Sequence, residues 1–194
     1  MEELISLLQR ECDYSPDSKQ LTLLLNSMDE VQFMRKEVVI AYGELNPDVY
    51  IVKAGICRLA YFDGDKEVTF AFASSGNMML SPHCYYKDKP AFMQVECCTD
   101  TVLLRLSRER CNSLIYASQE LTRWMYEMAM SQLYTLEKKL EMFNGRAKER
   151  YISMLAERPE IVRSVTDKMI ASYIGVTQQY LSKIKRLLLK TRRH

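Results

Sequence analysis

Residues 165–190 read VTDKMIASYIGVTQQYLSKIKRLLLK. Thr166 suits a helix N-cap, because its hydroxyl can accept from an orphan backbone N–H of the first turn. Val165 and Ile170 stand where a hydrophobic staple would clasp that turn. The same device recurs at Thr177, flanked by Val176 and Leu181. Between the two lies Gly175, where the first helix must stop on a left-handed residue that only glycine adopts cheaply. Small Ala171 lets the second helix cross close to the first, and Ile170, Ile174, Leu181, Ile184 and Leu188 supply buried faces. The stretch therefore predicts a helix-turn-helix over 166–190.

The face left over on the second helix carries Gln179, Lys183, Arg186 and Lys190 at i, i+4, i+7 and i+11, with Gln178 and Ser182 beside them. Glutamine suits an adenine edge in the major groove, and lysine suits guanine or phosphate. A solvated amphipathic hairpin would also show a basic face. Two caps, a glycine stop, a small crossing residue and an acid-free face together favour a DNA reader. Net charge is only +2, yet no acid follows Asp167, whereas Lys168, Lys183, Lys185, Arg186, Lys190, Arg192 and Arg193 do. The first thirty residues are the reverse, with Glu2, Glu3, Glu11, Asp13, Asp17, Asp29 and Glu30 against Arg10 and Lys19. Such asymmetry points to one end that meets a polyanion.

Upstream of the reader, Pro159 and Asn144-Gly145 are breaks on either side of a short helix from Ala147 to about Glu157. Before them a long helix begins near Ser118. Within it Tyr126, Ala129, Leu133, Leu136, Leu140 and Phe143 step by 3, 4, 3, 4 and 3 residues, the a/d seam of a coiled coil. Leu121, Met125 and Met128 form a second stripe suited to the helix's own domain. A helix with two apolar stripes fits a dimer better than a monomer.

From about Val31 to Leu106 the texture is short β-type runs: VVIAY, VYIVKA, CRLAYF, EVTFAF, MQVECC and VLLRL. Asn46-Pro47-Asp48, Gly55, Asp63-Gly64 and Ser74-Ser75-Gly76 punctuate them, and Asp63-Gly64 reads as a hairpin turn. Many short antiparallel strands predict a sandwich or barrel-like roll. Ahead of it, Leu4, Leu7 and Leu8, then Leu21, Leu24 and Leu25, recur at helical spacing around a break at Ser15-Pro16-Asp17.

The 194 residues are 47% hydrophobic and 27% charged, a globular balance without low-complexity tracts or repeats. The acidic start MEELISLLQREC does not read as a signal peptide, and no run is long enough to span a bilayer, so a cytoplasmic location is expected. Cysteines 12, 57, 84, 97, 98 and 111 include no C-x-x-C, and neighbours Cys97 and Cys98 would point to opposite faces of a strand. They read as small buried hydrophobes. His83 and His194 alone offer little for a metal centre or acid–base catalyst. No cofactor, no metal and no catalytic residue is expected, and a cupin-like metal enzyme is disfavoured for want of histidines.

From end to end the chain resembles the cAMP receptor protein and fumarate–nitrate regulator (Crp/Fnr) family of bacterial transcription factors. IASYIGVTQQYLSKIKR carries the resemblance most specifically; the order of helices, roll and long helix carries the rest. It implies an α+β fold. An N-terminal cyclic-nucleotide-binding-like β-roll with flanking helices would occupy 1–117, with EVTFAF as an inner strand. A dimerisation helix would follow over 118–143 and a helix-turn-helix domain over 144–194. It further implies a homodimer on a palindromic operator, with recognition helices roughly 34 Å apart. Gln178, Gln179, Ser182 and Lys183 would read bases; Thr177, Lys185 and Arg186 would touch phosphate, with Thr166 and Lys190 at the edges of the contact set. Double-stranded DNA is the expected partner, with RNA polymerase a second; no membrane partner is expected.

The sequence departs from the family at its ligand positions. Cyclic-nucleotide binders carry a Gly-Glu pair and, a little further on, an Arg that neutralises the cyclic phosphate. Here Leu80-Ser81 and Ala91-Phe92 stand there, and Lys87 and Lys89 fall in a polar turn. Burying a phosphate without a paired cation is too costly, so regulation by cyclic AMP is not expected. Phe70, Phe72, Met78, Met79, Tyr85, Tyr86, Phe92 and Met93 could line an apolar pocket or simply be core, and the effector stays unassigned. An iron–sulfur sensor would need more N-terminal cysteines than Cys12, and a haem sensor a better placed histidine than His83. No wing follows the recognition helix, so the tail Lys190, Arg192 and Arg193 would supply phosphate contacts. The competing reading is a ligand-sensing module that acts through a protein partner.

Overall fold

A computed structural model describes residues 2–14 and 16–191; Arg192, Arg193 and His194 of the expected basic tail, and Ser15 of the expected break, lie outside the described residues. Helices α1 (Glu2–Leu8) and α2 (Ser18–Asn26) lead into strands β1 (Asp29–Phe33), β2 (Val38–Ile40), β3 (Val49–Ala54), β4 (Ile56–Asp63), β5 (Lys66–Ser74) and β6 (Met78–Met79). After α3 (Pro82–Lys87) come β7 (Gln94–Cys97) and β8 (Thr101–Leu106). Helices α4 (Arg108–Ala117), α5 (Gln119–Asn144), α6 (Ala147–Glu157), α7 (Pro159–Ser164), α8 (Asp167–Tyr173) and α9 (Gln178–Thr191) complete the order. No helix among the described residues is long and apolar enough to cross a membrane.

Two four-stranded antiparallel sheets, ordered β1-β8-β3-β6 and β2-β7-β4-β5, face one another. Strand alternation divides their side chains among three cores. In β3, Tyr50 and Val52 point into the roll, while Val49 and Ile51 point out under the helices. Both faces are covered, which is why VYIV is an unbroken apolar run rather than an alternating one. The helical side of that first sheet packs α1, α2, α4 and the roll-facing stripe of α5, where Leu121, Trp124 and Met128 are buried. Residues β4 and β5 turn to the other side, Ile56 and Phe72, meet the C-terminal helices instead.

Several sequence expectations shift in detail. β1 begins before the apolar run, and VVIAY is ordered as strand only over Val38–Ile40. EVTFAF is not an inner strand: β5 pairs β4 alone and forms the sheet edge. The segment around His83 and Lys87 is a helical turn, α3, capped by Ser81. The hairpin at Asp63-Gly64 is present, with Gly64 at φ 58°. Helix α5 does stop at Asn144-Gly145, but Gly145 is extended at φ −79° and is not a left-handed cap. Cys97 and Cys98 do face opposite ways, Cys97 beside Cys57 inside the roll (Sγ–Sγ 3.9 Å) and Cys98 against Met169. Burial pushes the Cys98 thiol up to about 12, and no cluster suited to a metal occurs among the described residues.

Candidate nucleic-acid interface

The helix-turn-helix forms as its capping residues require. Thr166 Oγ1 accepts from Met169 N at 3.3 Å and Thr177 Oγ1 from Tyr180 N at 3.2 Å. Gly175 sits at φ +71°. Val176 N–H donates to Ala171 O and Gly175 N–H to Ser172 O, the two bonds of a Schellman stop that satisfy otherwise orphaned carbonyls. Ile170, Ala171, Ile174, Leu181 and Ile184 are buried together and Leu188 packs against them. With that face consumed, Gln178, Gln179, Ser182, Lys183, Arg186 and Lys190 are left exposed along α9, as are the caps Thr166 and Thr177.

Lys185 differs from its neighbours. It is half-buried and its ammonium pairs with the Asp167 carboxylate on α8. The residue expected to touch phosphate thus also links α8 to α9, while Lys183 and Arg186 make no salt bridge among the described residues.

The seam residues of α5 lie on one side of the helix and are exposed: Tyr126, Ala129, Leu133, Leu136, Leu140 and Phe143. Five large apolar side chains in a row facing solvent form the kind of patch that marks an interaction surface. Four of the six also serve elsewhere. Phe143 also leans on the reader, its ring edge 2.7 Å from where a Cβ on Gly175 would stand. Ala129, Leu133 and Leu136 also form part of the wall of a cleft of about 600 Å³ between α5, α3 and the roll.

That cleft takes in all of the anticipated aromatic and sulfur set except Phe72, which instead lies against Tyr173 of α8 with the rings tilted (centroids 5.4 Å apart). Its lining includes no lysine, arginine, aspartate or glutamate. Ser81 is buried as the cap of α3 and Ala91 is core.

The docking of the reader on the roll was not legible beforehand. At the bulge where β4 slips register between Leu59 and Ala60, Thr69 N–H on the edge strand donates to Ser172 Oγ at 2.8 Å. Arg158 donates to Ser74 Oγ and Asn77 Oδ1 at 3.2 and 3.4 Å. Beneath α8, Arg58 is buried between Glu67 and Glu96; burial opposes its charge, but the hydrogen bonds and charges of those carboxylates outweigh this and raise its pKa. Lys139 of α5 places its ammonium 4.4 Å from the Phe70 ring and 4.6 Å from the Tyr173 ring, with no hydrogen-bond acceptor among the described residues. Desolvation lowers its pKa to about 8.

Comparison with known proteins adds the family context. Residues 30–118 match the family model described as "Cyclic nucleotide-binding domain". No curated protein sequence matches the chain. Among solved structures, FixK2 from Bradyrhizobium japonicum aligns with a TM-score of 0.73 at 19% identity, over 84% of this chain and 85% of that one. The c-di-GMP responsive global regulator CLP from Xanthomonas campestris gives 0.72 at 15%, over 90% and 93%. A transcriptional regulator of the CRP/FNR family from Thermus thermophilus gives 0.65 at 18%, over 84% and 87%. At these identities the likeness is one of fold: the chain shares the fold of these regulators, and its residues 30–118 match the cyclic nucleotide-binding domain model.

Proposed function

We propose that this protein is a sequence-specific DNA-binding transcription regulator of the cytoplasm, acting as a homodimer on a palindromic operator and not gated by cyclic AMP. The observation that carries the reading is the exposed, acid-free face of α9. Gln178, Gln179, Ser182, Lys183, Arg186 and Lys190 share it, on a helix whose opposite face is fixed by the buried core with α8. Hydrogen-bonding side chains stand near the start of the helix, where base edges are reached, and cations continue along it, where phosphates lie. The exposed α5 seam supports the dimer, which would present two such helices to successive major grooves. Among the described residues no arginine or lysine lines the roll's cleft, and Lys139 meets it only from behind the Phe70 ring, which supports independence from cyclic AMP, since a buried phosphate needs a paired cation.

Selection from a random double-stranded DNA library should enrich a palindrome whose half-sites lie about one helical turn apart. Binding should weaken steeply with salt. Absence of salt-sensitive DNA binding would remove the reading. Calorimetric titration with cyclic AMP should give no heat, and micromolar binding would remove its last clause.

A further inference from the structure

We infer that Cys57 and Cys97 form an oxidisable dithiol site. Hydrogen peroxide, a small uncharged oxidant, converts the pair to a cross-strand disulfide, and closure of that bond disturbs the docking of α8 on the roll. The two residues are direct partners on the neighbouring antiparallel strands β4 and β7. Both backbone groups of Cys97 turn the other way, its N–H donating to Glu37 O and its carbonyl accepting from Lys36 N–H. The next pair along, Ile56 and Cys98, is joined by the bond from Cys98 N–H to Ile56 O. Cys57 and Cys97 are therefore a non-hydrogen-bonded pair, the kind whose Cα atoms stand only about 4.5 Å apart. That lies inside the span of roughly 4.4–6.8 Å that a disulfide bridges, and the two Sγ atoms are already within 3.9 Å.

The thiol chemistry points the same way. The Cys97 thiol is held below its usual range, chiefly because its thiolate accepts a hydrogen bond from Cys57; that same bond, together with burial, pushes Cys57 well up. The pair releases one proton and retains the second, which leaves a nucleophile beside a resolving thiol. In the first step the Cys97 sulfur attacks one peroxide oxygen. The O–O bond breaks, giving a sulfenic acid and a hydroxide that takes up the released proton as water. In the second, the Cys57 sulfur attacks the sulfenic sulfur, the S–O bond breaks, and the Cys57 proton leaves with the hydroxyl as water. Two thiols are oxidised and one peroxide is reduced to two waters. Both side chains are wholly buried, so the oxidant must be close to water in size; glutathione disulfide, bulky and charged, stays outside.

The opposite face of the same strands carries the consequence. Ile56 and Cys98, one residue from the dithiol on each strand, belong to the core that holds the helix-turn-helix, and Cys98 Sγ stands 4.0 Å from Met169 Sδ on α8. Drawing the two sulfurs together by about 2 Å twists β4 against β7, and a close-packed core does not absorb such a shift without moving its neighbours. Other thiols serve as internal controls: Cys84 Sγ donates to Glu44 O, and Cys111 sits in the helical core.

The test treats the reduced full-length protein with hydrogen peroxide and reads intact mass, disulfide-mapped peptides and backbone hydrogen exchange. A mass loss of about 2 Da is expected, with one linked peptide joining Cys57 to Cys97 and full recovery on adding dithiothreitol. Glutathione disulfide at the same concentration should leave the mass unchanged, and equal reaction with it would overturn the choice of oxidant. Amides of α8 should exchange about 5-fold faster or more in the oxidised protein. Cys57→Ala and Cys97→Ala should each abolish the linked peptide. A peptide joining any other pair, or oxygen adducts without a disulfide, would overturn the site. A Cys57–Cys97 bond that leaves α8 exchange unchanged would overturn the coupling to the helix-turn-helix. Neither readout uses DNA, so the outcome is separate from that of the DNA-binding reading. The wild-type peptide map needs no variant, so an alanine variant that fails to fold leaves the test intact.

Discussion

Gly175 carries two demands at once. Its φ of +71° lies where a side chain costs roughly 1–2 kcal/mol, and the Phe143 ring occupies the space a Cβ would take. Gly175→Ala should lower stability by about that amount or more in urea denaturation, and adding Phe143→Ala should recover only the steric part. A cost below about 0.5 kcal/mol would mean the turn relaxes freely. The lysines of α9 separate in the same way. Lys183 is exposed, whereas Lys185 is clasped to Asp167. Lys183→Ala and Arg186→Ala should each weaken DNA binding and reduce the slope of log affinity against log salt by about 1. Lys185→Ala should change the slope less and instead cost up to about 1 kcal/mol of stability, as befits a partly exposed ion pair. Equal slopes for all three would return Lys185 to the phosphate contacts.

At the scale of the element, α5 answers to both sides of its sequence pattern. Leu121, Trp124 and Met128 are sunk into the roll's helical core, and the seam from Tyr126 to Phe143 faces solvent. Leu133→Glu with Leu136→Glu removes apolar surface that is half-exposed in the single chain, so the fold should persist. Sedimentation should then report a monomer, and operator affinity should fall about 100-fold or more as two-site binding is lost. A dimer that survives both charges would show that association runs through another surface. The edge strand β5 shows the limit of the family resemblance. The resemblance implied an inner strand for EVTFAF, but β5 pairs β4 alone, helix α8 packs on it, and its free edge is met by Ser172.

The whole molecule is held together at a junction of three parts. Lys139 comes from α5, Phe70 from the roll and Tyr173 from the reader. Burial lowers the Lys139 pKa to about 8 from an ordinary value near 10.5. Between those values the unfolded chain keeps a proton that the folded chain has released, so this group makes stability rise with pH across that window. Below about pH 8 both forms are protonated and the dependence disappears. Relative to Lys139→Met, the wild-type protein should therefore gain in melting temperature from pH 8 to about 10.5. A constant difference over that window would mean the ammonium is solvated through motion of the reader.

By itself the sequence determined the helix-turn-helix and the exposed apolar stripe of α5. Each rests on local chemistry: Thr166 and Thr177 cap the turns that follow them, Gly175 alone tolerates its φ, and the seam follows the helical repeat. Interactions within a few residues are written where they act. Tertiary structure alone decided which cation is free and which is clasped, that Phe72 serves the reader rather than the cleft, and that the sulfur-rich residues enclose space. Thr69 and Ser172 lie 103 residues apart, and Lys139 meets two rings from distant segments. No periodicity encodes such meetings, because they depend on how separately formed faces close on one another.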